Sequence, residues 1–162
     1  MYKLHCIAPL FALMVALSSS ASAVAADQRL MKGHDQGTFT AQPLSQTVVR
    51  THDTGSGRAT VIGEYKMVAD ENVNLSTLQV TNASFTITAE NGETLVGKYS
   101  GTAQFSPGSQ TQITYYVSGP ITGGSGRFAG ITGSIAFFGT ADLVSGAFED
   151  VVVALIPEGN ER

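Results

Sequence analysis

From about residue 37 onward the apolar residues recur at every second position rather than every third or fourth. Side chains on a strand alternate between two faces, so this pattern predicts strands with one buried side and no amphipathic helix. The runs are rich in Thr, Val, Tyr and Phe and are broken by Gly, Pro and Asn, which supply turns. Residues 37–41 and 46–51 read as short strands. Residues 58–68 read as one long strand with Ala59, Val61, Gly63, Tyr65 and Met67 on one face; 75–81 and 84–89 follow. Asn91-Gly92 stands between two alternating runs and predicts a type I′ hairpin, whose two central residues both take positive φ. In the return strand Leu95, Gly97, Tyr99, Gly101, Ala103 and Phe105 share a face, a glycine spacing that suits a strongly coiled strand in a small barrel.

The next strand, 111–118, places Ile113, Tyr115 and Val117 together. Gly123-Gly124-Ser125-Gly126-Arg127-Phe128-Ala129-Gly130-Ile131-Thr132-Gly133 then reads as a tight corner with Phe128 turned inward as a plug. Ile135, Phe137, Gly139 and Ala141 alternate after it, and 148–156 is the last strand. Eight to ten strands with short connections leave no room for crossover helices. The prediction is an all-β, single antiparallel barrel over 37–157, closed so that no edge is exposed. Residues 27–36 are polar and read as a flexible N-terminus, and 158–162 as a tail.

The first 26 residues are read as a signal peptide. Lys3 and His5 precede an apolar run over 6–17, and the small residues of 18–23 end in Ala21-Ser22-Ala23; Val24-Ala25-Ala26 fits a cleavage site equally well. The run falls short of the roughly 20 residues that cross a bilayer, so the mature chain is expected to be secreted or periplasmic, without an integral membrane segment. Removing this segment takes away Cys6, the only cysteine, so a hydrophobic core rather than disulfides has to hold the domain. With Lys3 gone, 8 of the 9 Lys and Arg side chains remain against 13 acidic ones, a formal charge of −5. An acidic chain without a basic run is not expected to bind nucleic acid.

The glycine corner resembles the allene oxide cyclase and dirigent superfamily, which carries a Gly-Gly-[Ser/Thr]-Gly-x-Phe element matched by Gly123 to Phe128. Gly55-Ser56-Gly57-Arg58-Ala59-Thr60 and Asn91-Gly92-Glu93 are similar to small secreted bacterial barrels of the same shape. The resemblance implies an eight-stranded, calycin-like barrel, a homo-oligomer, and an apolar cavity. It implies two activities, ring closure of an unsaturated fatty-acid epoxide or the steering of phenol radical coupling, and transfers no catalytic residue to this chain.

The candidate chemistry is thin. Gly124-x-Gly126-x-x-Ala129 has the dinucleotide spacing but is followed by a strand instead of a helix. Ser125, His52 and Asp53 make a poor triad, because sequence-adjacent His and Asp do not orient one another, and two isolated histidines make no metal site. His34 and His52 are both expected in loops. Tyr65, Tyr99 and Tyr115 share faces with apolar residues and are candidates to line a pocket. Arg127 is the one charge in the glycine corner. Glu149 shares a face with Val151, Val153 and Leu155 and would stand near a cavity mouth if that face points inward. These five are the candidate ligand residues, with no catalytic residue, metal or cofactor assigned. The preferred reading is a non-enzymatic secreted barrel that binds a small hydrophobic molecule or acts as an interaction module. The alternative is a cofactor-independent cyclase or isomerase acting on a hydrophobic substrate.

Overall fold

A computed structural model describes residues 28–157; the expected signal peptide and C-terminal tail lie outside the described residues. Eight antiparallel strands form a meander: β1 (Gln28–Pro43), β2 (Val48–Ala59), β3 (Gly63–Asn74), β4 (Gln79–Ala89), β5 (Thr94–Phe105), β6 (Gln112–Gly124), β7 (Gly133–Asp142) and β8 (Ala147–Pro157). Each strand pairs with the next, and β8 returns to β1, closing the barrel. Among the described residues the only helical turn is a 3₁₀ turn at Gly126–Phe128, and no helix is long and apolar enough to cross a membrane.

Several expectations change at this level; the runs 75–81 and 84–89, for one, form the single strand β4, which begins only at Gln79. The stretch 27–36 is not a frayed end, because from Gln28 onward it belongs to β1 and pairs with β8. Its inward residues Met31 and Asp35 are fully buried. The long strand expected over 58–68 is two strands joined by a turn at 60–62, with Gly63 at φ +79° starting the second. Thr60, Val61 and Ile62 carry no turn signal, and Ala59 and Met67 fall in the same alternation, so the pattern ran unbroken through the turn. The Asn91-Gly92 hairpin is present but is not type I′. Gly92 alone has positive φ (+85°), and the Gly92 N–H bonds to the Ala89 carbonyl while the Ala89 N–H bonds to that of Glu93. That is the turn with a glycine bulge found in three-residue hairpin loops.

The barrel has two different ends. At one end lie both described termini, the β2–β3 and β4–β5 turns and the glycine corner between β6 and β7. This end is filled by Met31, Ile62, Leu95, Ile121, Phe128, Ile135 and Ile156, all buried. Phe128 is the inward plug read from the sequence. Arg127 ties the turns together outside it: its Nε is 3.0 Å from Glu93 Oε2, its guanidinium donates to the Val61 carbonyl, and its charge lies 4.9 Å from the Phe128 ring.

The other end carries the β1–β2, β3–β4, β5–β6 and β7–β8 loops. Each is pinned by a side chain that accepts backbone N–H groups two and three residues on: Ser45, Asn74, Ser109 and Asp142. Leu44, Leu75, Phe105, Leu143 and Val144 are exposed on or beside these loops, giving this rim an apolar character. A second exposed apolar row runs across the outside of β6, β7 and β8 through the paired residues Tyr116, Phe138 and Val151.

Candidate functional site

Below the apolar rim the barrel is hollow. A chamber of about 270 Å³ is lined on its apolar side by residues that include Phe39, Val73, Ile113, Phe137 and Phe148. Phe85, Tyr99 and Phe137 pack edge to tilted against one another, with Phe85 and Phe137 centroids 5.8 Å apart, and separate the chamber from the filled end. The polar residues of its wall are Thr51, Asp53, Glu71, Tyr99, Tyr115 and Asp150.

Strand alternation explains how acids reach the interior. The inward positions of β2 are Thr51, Asp53, Gly55, Gly57 and Ala59; those of β3 run from Tyr65 through Met67 and Ala69 to Glu71 and Val73. On β8 the inward set is Phe148, Asp150, Val152, Ala154 and Ile156. Glu149 therefore points outward with Val151 and Leu155, and its neighbour Asp150 is the inward acid. The triple valine at 151–153 hid this register, since apolar residues occupy both faces there.

Three tyrosine–carboxyl pairs result. Tyr65 Oη donates to Asp35 Oδ2 at 3.0 Å, Tyr99 to Glu71 Oε2, and Tyr115 to Asp150 Oδ2 at 2.9 Å. Burial, then the adjoining carboxylate, raises all three phenols far above their ordinary range, so they are donors only. Asp35 and Asp150 face each other across the β1–β8 ladder, and each leaves one buried oxygen, Oδ1, without an N–H or O–H donor. One proton between them satisfies both. Burial, followed by the hydrogen bond to Asp35 and its charge, holds Asp150 well above the usual carboxylate range, so Asp150 keeps its proton at neutral pH.

Asp53 has no such partner. Its Oδ1 is buried and bonds to nothing, and burial, reinforced by the charge of Glu71, raises its pKa to about 7. Glu71 is also raised, by burial, with the Tyr99 and Thr51 hydroxyls opposing the shift. The Thr51 hydroxyl lies beside both acids and favours their anions, yet it makes no hydrogen bond of good geometry, and Thr51 is only 6% exposed.

Of the residues singled out from sequence, Tyr99 and Tyr115 line the chamber. Tyr65 is buried beneath it on Asp35, Arg127 is at the opposite end in its ion pair with Glu93, and Glu149 is outside. His34 and His52 are not in loops but on the outer faces of β1 and β2, where His52 Nδ1 is 3.3 Å from Asp70 Oδ1. His52 and Asp53 thus point to opposite sides of the sheet, and Ser125 bonds to Thr94 at the filled end, so no triad forms. The acids Asp35, Asp53, Glu71 and Asp150 escaped notice as a group. Comparison with models of known families, with curated proteins and with solved structures finds no match.

Proposed function

We propose that this barrel binds a small, mainly apolar molecule in the chamber at its loop end. The observation that carries this reading is the chamber itself. Its volume of about 270 Å³ lies between the roughly 150 Å³ cavity that holds a benzene and the 300 Å³ or so where drug-sized pockets begin. An apolar wall with a few convergent polar groups is the usual make-up of such sites, and the apolar rim suits the entry of an apolar ligand. We also propose that the resemblance to the allene oxide cyclase and dirigent barrels reflects kinship and that the mature chain is exported; the closed eight-stranded meander is the support for the first. The exposed Tyr116–Phe138–Val151 row supports the homo-oligomer that such kinship would imply.

Ala103 lines the chamber from β5 and is only half-buried, so a phenyl group there fills the space without displacing the packed core. Native mass spectrometry of protein recovered from its producing cells, followed by denaturing extraction, is expected to find a small bound molecule in the wild type and none in Ala103→Phe. Identical unliganded spectra, with a melting temperature that saturating indole leaves unchanged in both proteins, would contradict the reading.

One observation favours a second reading, a cofactor-independent isomerase or cyclase. Asp53 is unpaired, faces an apolar chamber and has a pKa near 7, which is where a general acid or base works best at neutral pH. Loss of turnover in Asp53→Asn with retained ligand binding would mark the enzyme; retained binding with no chemistry in the wild type marks the carrier.

A further inference from the structure

We infer that the chamber is built for a ligand bearing a basic nitrogen, an ammonium or amidinium group on an apolar body of about one ring, seated against Asp53, Glu71 and Thr51. This rests on the reading of the chamber as a binding site and adds the chemical class of what it takes.

The polar wall is one-sided. Its groups are carboxyls and hydroxyls, and every Lys, Arg and His between residues 28 and 157 is exposed on the outside. The phenolic protons of Tyr99 and Tyr115 are already given to Glu71 and Asp150. Asp53 and Glu71 line the chamber with no cationic partner, and beside them the Thr51 hydroxyl, on a side chain more than nine-tenths buried, has no hydrogen-bond partner of good geometry. A carboxylate, phosphate or phenolate ligand would meet only like charge there. A cation gains twice, from the carboxylates and from the aromatic rings of the lining, Phe39, Phe137 and Phe148 among them.

After burial, Glu71 and Asp70 both raise the Asp53 pKa and the Thr51 hydroxyl opposes them; the groups nearby are these. Glu71 and Asp70 come from β3, Asp35 from β1, Asp150 from β8, and the phenols of Tyr99 and Tyr115 from β5 and β6. Asp70 faces outward and is shared with Arg50 and His52. A cation therefore binds best when Asp53 is ionised, and its affinity rises with pH through about 7. A neutral acceptor such as a carbonyl prefers the protonated acid, and its affinity falls over the same range. The sign of the pH dependence separates the two.

The test is calorimetric titration of the folded chain with benzylamine and with its neutral isostere benzyl alcohol, at pH 5.5 and pH 8, on wild type, Asp53→Asn and Glu71→Gln. Removing a charge from an acidic interior is not expected to unfold either variant, and circular dichroism checks this. Benzylamine is expected to bind about tenfold or more tightly at pH 8 than at pH 5.5, by proton linkage to Asp53. Asp53→Asn should erase that gain, so that the benzylamine affinity of the variant is the same at both pH values. If benzyl alcohol binds as well as the amine, and the amine shows no rise with pH, the cationic inference is overturned and the cavity reading stands. If neither probe binds and Ala103→Phe behaves like wild type, the cavity reading falls and takes the inference with it.

Discussion

The barrel is expected to be most stable near pH 4 to 5 and to lose several kcal/mol of stability as the pH is raised to 8. Many proteins behave in the opposite way, because their paired carboxylates stabilise the fold when ionised. Here Asp53 moves from an ordinary 3.8 to about 7 on folding, and Asp150 and Glu71 are raised as well, each chiefly by burial. An acid that keeps its proton longer in the fold than in the unfolded chain stabilises the fold fully below its unfolded pKa. That contribution drains away as pH climbs from the unfolded to the folded value, at about 1.4 kcal/mol per pH unit for each group. Asp53 alone removes roughly 2 kcal/mol between pH 5 and 7 on that slope, with Asp150 and Glu71 adding to it. On the acid side Glu93 and Asp142 act in reverse. Backbone N–H groups, of Arg127 for one and of Ser145 and Val144 for the other, hold these carboxyls below the usual range, so their contribution is lost as pH falls. Urea unfolding at half-unit pH steps, with Asp53→Asn in parallel, measures the curve. The wild-type slope between pH 5 and 8 should flatten in the variant; a wild-type optimum at pH 7 or above would contradict the buried-acid account.

Gly139→Ala is expected to destabilise the barrel by about 3 kcal/mol or more and to shift melting by on the order of 10 °C, combining overpacking with a lost buried hydrogen bond. Gly139 is an inward position of β7, opposite Tyr115 on β6 and Asp150 on β8. A Cβ there would lie 2.5 Å from the Tyr115 hydroxyl and from the Asp150 Cβ. The missing side chain is therefore the space through which the phenol reaches the carboxyl. Adding a methyl leaves a buried, protonated Asp150 without its Tyr115 partner. A melting curve within 2 °C of wild type would show that the pair relocates easily, and that the glycine does not set the geometry of the chamber wall.

The fold was readable because turns and alternation are local signals. The glycine corner with Phe128 inward, the hairpin at 91–92, and the inward faces of 95–103, 113–117 and 135–141 all follow from residues within a few positions of one another, although Phe105 at the end of its run is exposed on the rim. The second half of β3 was harder. Asp70, Glu71, Asn72 and Asn74 look like a loop, and they form a strand because the barrel needs a partner for the start of β2. In β4, Asn82 at φ +51° marks a bulge that switches the inward parity from Val80 to Ala83, which no run of alternation announces.

The site was hidden for a related reason. Asp35 lies in a polar stretch with no strand signal, Glu71 between two expected strands where no alternation runs, and Asp150 one position from the candidate Glu149. Each would stand out only once closure fixes which face is inside. Tyr99 and Tyr115 were legible as pocket residues because they sit in long apolar alternations. Their carboxyl partners lie 28 and 35 residues away in sequence, a pairing set by the barrel rather than by any motif.

The most direct measurement is a methyl-detected NMR titration of wild type and Ala103→Phe with benzyl alcohol at pH 5.5. A ligand chamber predicts saturable shifts at Val49, Val73, Ile113 and Val117, which line it, little change at Ile62, Leu95 and Ile121 in the filled end, and no saturable shift in the variant. Lumen methyls that stay put in wild type, or shifts confined to Val151 and its outer row, would contradict the account.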